Sequence, residues 1–497
     1  MRHWILITVC VLLLVGVGIR MFVGAERYLW QDEAETVINS LQVLEDGYPH
    51  GRFEGKPLFE NTSTIPSNDP KYAYESTNYY GGTFERNKGW LTYGYQALFL
   101  QHFGFSEKSA RWPFAALFAF SGLAIFYMGK KFFSIPVGVL ALGVYAVNYG
   151  SILFEHQSRY YALVIMLTLF GLITMYRALT TRSWTWYMLT ALILILQFHT
   201  SIVAALATTF FFIFMHLTYR RSFRSTTYLP LFTVLLLMML AALPWMLMVK
   251  FGTVFTLYPD AGHFRVLWVV LMMVLTGAVV VVRRLFPKYF FWELNPFERY
   301  LWTFVAVVII VKPLIAPTES IAARLFIELT PIVTLLIARS VYSLFQRAKK
   351  QRYHLMHQVS QIAVMVVVFF VLNIYFGNHG VTRTDWIEES ITYLSEHPIE
   401  NGAPLFVSYQ YFPFALYTGY NVDPIWPIRK SYIDTYPGTL YFLFYSNFYT
   451  PQDFNQGATI SVEELNYYQR LQKCQKKEIA DKTILYECPG TPVPSTL

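Results

Sequence analysis

The stretch WILITVCVLLLVGVGIRMFVGAERYLWQDEAETV, Trp4 to Val37, decides the fold. From Trp4 to Val23 it is almost wholly apolar. A helix needs about 20 such residues to cross the hydrocarbon core of a bilayer. Met1-Arg2-His3 ahead of it, and Val23-Gly24-Ala25 behind it, also suit a cleaved signal peptide. The length of the apolar run favours an uncleaved anchor. In either case the N-terminus starts in the cytoplasm and the following residues lie outside. Those residues carry a tandem acidic pair, Asp32-Glu33. Two carboxylates at a membrane boundary can activate a hydroxyl as general base or hold a divalent cation. The plainer alternative is an external helix beginning with acids, where the helix dipole favours negative charge.

The rest of the chain extends the membrane reading. Of 497 residues, 55% are hydrophobic and only 14% charged, against roughly a quarter charged in soluble domains. That balance excludes an ordinary soluble enzyme. The net charge of +8 does not point to nucleic acid, because the basic residues fall in short clusters between apolar runs. The sequence predicts about 11 transmembrane helices, near 4–23, 111–129, 134–153, 160–179, 184–199, 201–219, 227–249, 264–283, 300–316, 321–341 and 358–376. Lys130-Lys131, Arg177 with Arg182, Arg220-Arg221, Arg283-Arg284 and the cluster Arg347 to Arg352 then share one side of the membrane. The positive-inside rule makes that side cytoplasmic. An integral plasma (inner) membrane protein results, with a cytoplasmic N-terminus.

Two polar pieces are expected outside. One is the long first external loop, 24–110, within a membrane domain spanning 1–376. It is rich in turn-forming residues and ends in the short amphipathic stretch WLTYGYQALFLQHFG, read as an interfacial helix. The other is a C-terminal extracytoplasmic domain, 377–497, of α/β or mostly β type. Its runs PLFVSYQYFPFALYTG and TLYFLFYSNFY look like strands. Cys474 and Cys488 would sit in an oxidising compartment, where they pair across a hairpin or remain two buried thiols. Cys10 lies in the first span, as a packing residue.

The polar residues that could carry chemistry gather where spans meet the outer surface. In FEHQSRYYAL, Glu155 and Arg159 stand four apart and can pair on one helix face, with His156 between them. That is an interfacial salt bridge or part of a site. His199, in LQFHTS, is a structural helix-end histidine or a ligand. Arg324 and Glu328 lie one turn apart in an otherwise apolar span. A guanidinium there faces a partner or a polar cavity. It either pairs with Glu328 or awaits an anionic lipid phosphate, which suits its bidentate fork. Lys56 and Lys88 are external cations able to meet the same anion. Such a set fits an amphipathic substrate with its tail in the bilayer and its phosphate at headgroup level. No phosphate-cradling glycine loop, zinc-type histidine spacing or nucleophile elbow is present in the sequence.

Several blocks, in order, resemble a known family. They are WQDEA after the first span, GWLTYGYQALFLQHFGFSEKSARWPFAALFAFSGLAIFYMGKKFF, NYGSILFEHQSRYYALVIMLTLFGLITMYRAL, LQFHTSIVA and RLFIELTPIVTLLIA. Over residues 1–341 the chain is similar to GT-C fold glycosyltransferases, in the bacterial-type branch of the protein O-mannosyltransferase and aminoarabinose-lipid A transferase family (glycosyltransferase family 39). Where the lipid A branch has Lys-Pro-Pro, this chain has Lys56-Pro57-Leu58, which leaves the acceptor open. The resemblance implies a polyprenyl-phosphate sugar as donor, a glycan, lipid or protein acceptor, membrane lipid as surroundings and inversion at the anomeric carbon. It makes Asp32 the catalytic base. Arg324, with Arg159, Lys56 or Lys88, receives the donor phosphate. Glu33, Glu155, His156 and His199 orient the acceptor or bind a cation, with a divalent metal at Asp32 and Glu33 if one is used. An oligosaccharyltransferase or glycan polymerase would share the fold. A secondary transporter is the rival of another class, but it predicts internal repeats and charges at the midplane, and the sequence has neither.

Overall fold

A computed structural model gives the architecture. It describes residues 2–23, 25–50, 52–53, 56–58, 89–223, 228–248, 295–315, 326–348, 385–408, 410–425, 430–445, 471, 474–480 and 483–490. The chain forms two compact units, one of residues 1–25 with 86–381 and the other of 26–85 with 382–497.

The first unit is helical. It contains α1 (Arg2–Phe22), α3 (Leu91–Phe103), α4 (Glu107–Ala116), α5 (Phe118–Phe132), α6 (Ile135–Ala146), α7 (Tyr149–Glu155) and α8 (Tyr161–Thr181); α2 (Gln31–Asp46) belongs to the other unit. It continues with α9 (Trp184–Phe198), α10 (Ile202–Phe223), α11 (Leu229–Met248), α12 (Pro296–Ile315) and α13 (Leu329–Ala348). Among the described residues, five helices are long and apolar enough to cross a membrane, or six if α6 and α7 form one bent span. They include α1, whose Trp4, Leu6, Ile7, Val11 and Leu14 are exposed. Outward-facing apolar side chains of this kind belong in lipid, not water. The spans expected at 264–283 and 358–376 lie outside the described residues.

Local chemistry explains the helix ends. Ser106 and Ser109 form a reciprocal capping box that starts α4. Lys130 and Lys131 occupy the last turn of α5, where cations complement the dipole. α5 and α6 pack closely because each is glycine at the crossing: a Cβ on Gly129 would stand 2.5 Å from the Cα of Gly138. Small residues permit such approaches between membrane helices. The expected continuous span at 134–153 is broken instead. α6 stops at Ala146, Asn148 caps α7 by accepting the Ser151 amide at 2.8 Å, and the two helices meet at 62°. The expected interfacial helix is α3, which buries Thr92, Tyr93, Gln96, Ala97 and Leu100 and exposes Leu98 and Phe103.

The second unit contains α2 (Gln31–Asp46), the short pair β1 (Arg52–Phe53) and β2 (Lys56–Pro57), and a mixed five-stranded sheet. The sheet order is β4 (Asn421–Pro424), β3 (Pro404–Val407), β5 (Leu440–Tyr445), β7 (Thr483–Cys488) and β6 (Gln475–Ala480). β3 runs parallel to both β4 and β5, while β7 is antiparallel to β5 and β6. Helices α14 (Asp385–Glu396), α15 (Tyr411–Tyr417) and α16 (Lys430–Thr435) accompany it. The expected strand PLFVSYQYFPFALYTG is therefore half strand and half helix. Tyr411 to Tyr417 form the crossover that a parallel β3–β4 pair requires. Cys474 and Cys488 are joined by a disulfide that closes the β6–β7 hairpin. α2 packs in this unit: Gln31 accepts the Phe412 amide at 3.1 Å, and the Leu29 amide donates to the Tyr417 hydroxyl at 3.1 Å.

Candidate functional site

The acidic pair opens α2. Asp32 is half-buried in the first turn, and its carbonyl accepts the Thr36 hydroxyl at 2.8 Å. Glu33 is only 1% exposed, and Glu35 is buried too. A solvated helix start would leave Glu33 in water, so that bland reading does not fit the second acid. Trp30 occupies the cap position and supplies no side-chain bond, which leaves the first-turn amides and carboxylates to stabilise one another electrostatically. Among the described residues, no group of three or more His, Cys, Asp or Glu side chains converges to hold a metal.

In the first unit, the junction between α7 and α8 is built around a buried charge. Glu155 is fully buried. One carboxylate oxygen accepts Arg20 Nε at 2.7 Å, and the other accepts the Tyr145 hydroxyl. Arg20 is itself fully buried in the last turn of α1. Its Nη1 donates to the carbonyls of Gly16 and Ala146, each at 3.0 Å, and its Nη2 to that of Tyr145 at 3.3 Å. The guanidinium carbon lies 3.9 Å from the centre of the Phe118 ring. The interfacial Glu155–Arg159 pair considered from the sequence gives way to this interior one. A signal for it was available: Arg20 is a lone cation in the final turn of an apolar span, where membrane residues find a partner.

The following turn holds the other candidates. His156 is half-buried, its Nδ1 paired with the Ile152 carbonyl at 2.8 Å. Gln157 donates to the Leu153 carbonyl at 2.8 Å. Ser158 accepts from Gln96 of α3 at 2.6 Å. Arg159 is buried, and its guanidinium lies 5.6 Å from the Tyr160 ring centre. His199 caps α9 and is buried. Its carbonyl accepts the Leu91 amide at 2.8 Å, and its ring lies against Trp90 at 5.5 Å. Gly89 makes this approach possible, since a Cβ there would fall 2.1 Å from the His199 carbonyl carbon. The structure thus brings the 156–160 turn and His199 to the same helix, α3.

Glu328 is 2% exposed and ion-paired with Lys312 of α12, also buried. Arg324, which the sequence offers either as a partner of Glu328 or as a ligand for a lipid phosphate, lies outside the described residues, as does Lys88. Lys56 pairs through its backbone with Phe53.

Comparisons with known proteins agree with this architecture. Residues 89–246 match the family model described as dolichyl-phosphate-mannose-protein mannosyltransferase. The sequence matches none of the curated proteins. The chain is similar to the crystal structure of ArnT from Cupriavidus metallidurans bound to undecaprenyl phosphate, at 12% identity over 98% of both chains with a TM-score of 0.55. The apo state of that protein gives 12% identity, the same coverage and a TM-score of 0.56. An oligosaccharyltransferase from Archaeoglobus fulgidus, in complex with Zn and sulfate, is 11% identical with a TM-score of 0.51, over 88% of this chain and 67% of that one. The chain therefore shares the fold of the Cupriavidus metallidurans ArnT structures, and its long apolar helices make it an integral membrane protein.

Proposed function

We propose that the protein is an inverting glycosyltransferase. It moves a sugar from a polyprenyl-phosphate-linked donor to an acceptor hydroxyl at the outer face of the plasma membrane, with eleven spans and a cytoplasmic N-terminus. The observation that carries the reading is the fold shared end to end with ArnT, whose structure holds undecaprenyl phosphate. The mannosyltransferase family match over 89–246 supports it. Asp32 takes the proton from the acceptor hydroxyl as its oxygen attacks the anomeric carbon. The bond from that carbon to the phosphate oxygen breaks, through an oxocarbenium-like transition state, with inversion. The departing lipid phosphate gains negative charge, which Arg324 and Arg159, with Lys56 or Lys88, stabilise. Glu33, His156 and His199 orient the acceptor, and Glu155 acts through the turn it anchors.

Asp32→Asn tests the base. The variant is expected to insert and fold as wild type while sugar transfer falls about 10²–10⁴-fold. The measurement is mass analysis of cell-envelope glycolipids and glycans in a deletion strain carrying either form. Restoration of the missing product by Asp32→Asn sinks the assignment. The likeness to the Archaeoglobus oligosaccharyltransferase favours one second reading, transfer of a preassembled oligosaccharide. A product heavier by many sugars, not one, selects it.

A further inference from the structure

Arg20 does more than neutralise Glu155. The last carbonyls of an α-helix have no intrahelical partner, and those of α6 end inside the protein at a 62° break. Arg20 donates to two of them, Tyr145 and Ala146. It places its cation where the dipole of α6 is negative. The same side chain holds Glu155, the last residue of α7, where a carboxylate is otherwise opposed by the helix dipole. One guanidinium therefore ties both arms of the broken span to α1. The residues directly after Glu155 form the turn that carries Arg159, and α3 steadies that turn through the Gln96–Ser158 bond.

We infer that Arg20 is a positioning residue: by capping the α6 carbonyls and anchoring Glu155, it sets the turn that presents Arg159 to the donor phosphate. The last step rests on the proposed function; the fixing of the turn does not. A lysine at position 20 supplies the charge but not the fork that reaches both carbonyls and carboxylate. Exchanging the charges restores an ion pair but sets a carboxylate against two carbonyl oxygens.

Two measurements on the full-length protein in detergent test this. In hydrogen exchange, Arg20→Gln and the swap R20E/E155R are each expected to speed exchange across 147–160, on the order of a hundredfold. Exchange in Trp184–Phe198 should stay as in wild type. Unchanged exchange at 147–160, a rise spread over every helix, or full protection in the swap overturns the positioning role. Should Arg20→Gln not fold, Arg20→Lys is read the same way, with a smaller rise. In the second measurement, binding of undecaprenyl phosphate is titrated. Arg20→Gln and Arg159→Gln are each expected to weaken it about tenfold, and the double variant no further, because both remove one interaction. Additive losses refute the link to Arg159. If wild type itself binds no undecaprenyl phosphate, the proposed function fails, and the exchange result still decides whether Arg20 sets the turn.

Discussion

Replacing Lys312 with methionine distinguishes two pairings for the same carboxylate. The sequence offered Arg324, one turn before Glu328, as its partner. The structure places Lys312 of α12 against it, with both side chains buried. One Glu328 oxygen faces the ammonium, and Oε2 has no hydrogen-bond partner among the described residues. Removing one member of a buried pair leaves an uncompensated charge and costs about 3–5 kcal/mol. Removing both, as in Lys312→Met with Glu328→Gln, erases the charge and retains a polar amide. The double variant should recover at least half of the loss, since apolar or neutral replacement of a buried pair is often close to neutral. The assay is equilibrium unfolding of the detergent-solubilised protein in mixed micelles, following tryptophan fluorescence. The reasoning is refuted if Lys312→Met loses less than about 1 kcal/mol, the size of an exposed pair. It is refuted equally if Arg324→Met reproduces the whole loss and Lys312→Met does not. That outcome would return Glu328 to its neighbour in sequence and take Arg324 away from the donor phosphate.

Three further outcomes are expected. Gly89→Ala forces a Cβ to within 2.1 Å of the His199 carbonyl, so α3 must shift. The cost is about 1–3 kcal/mol, measured by the same unfolding assay, and an unchanged midpoint contradicts the close approach. Cys474→Ser opens the hairpin closed over a sequence separation of 14 and destabilises the C-terminal sheet by about 3 kcal/mol; limited proteolysis should cut the variant within 471–490 first. Burial pushes the phenols of Tyr441 and Tyr486 above their ordinary range, although a hydrogen bond at Glu400 partly offsets it for Tyr441. A raised phenol keeps its proton in the fold, so this stability is complete below the unfolded value near pH 10 and lost as pH climbs through the folded one. Ultraviolet difference titration should show these two rings ionising after the exposed tyrosines.

What could be read from the chain divides along sequence distance. The apolar runs at 4–23, 160–179 and 227–249 announce α1, α8 and α11 because membrane insertion depends on composition within a single segment. The helix α3 was legible for the same reason. The break at Val147 lies inside an apolar run, and its only local mark is Asn148, a good cap that reads as one only if a helix begins there. YFPFALY carries aromatic residues suited to a strand, yet it forms α15, because joining the parallel strands β3 and β4 needs a crossover. Tertiary connectivity there overrides propensity. The partners of the candidate site were the least legible. Arg20 and Glu155 are 135 residues apart, and Gln31 and Phe412 are 381 apart. Spacing rules reach three or four residues along a helix, so they offered Arg159 to Glu155 and Arg324 to Glu328. For Glu155 the structure supplies Arg20, and for Glu328 it supplies Lys312. Both are cations within apolar helices that seemed to need no explanation of their own. In a membrane chain a lone interior charge implies a counter-charge elsewhere, and pairing such charges across different spans is the step by which this site becomes readable. The same rule gives Glu155 a partner other than Arg159, one of the arginines on which the proposed chemistry depends.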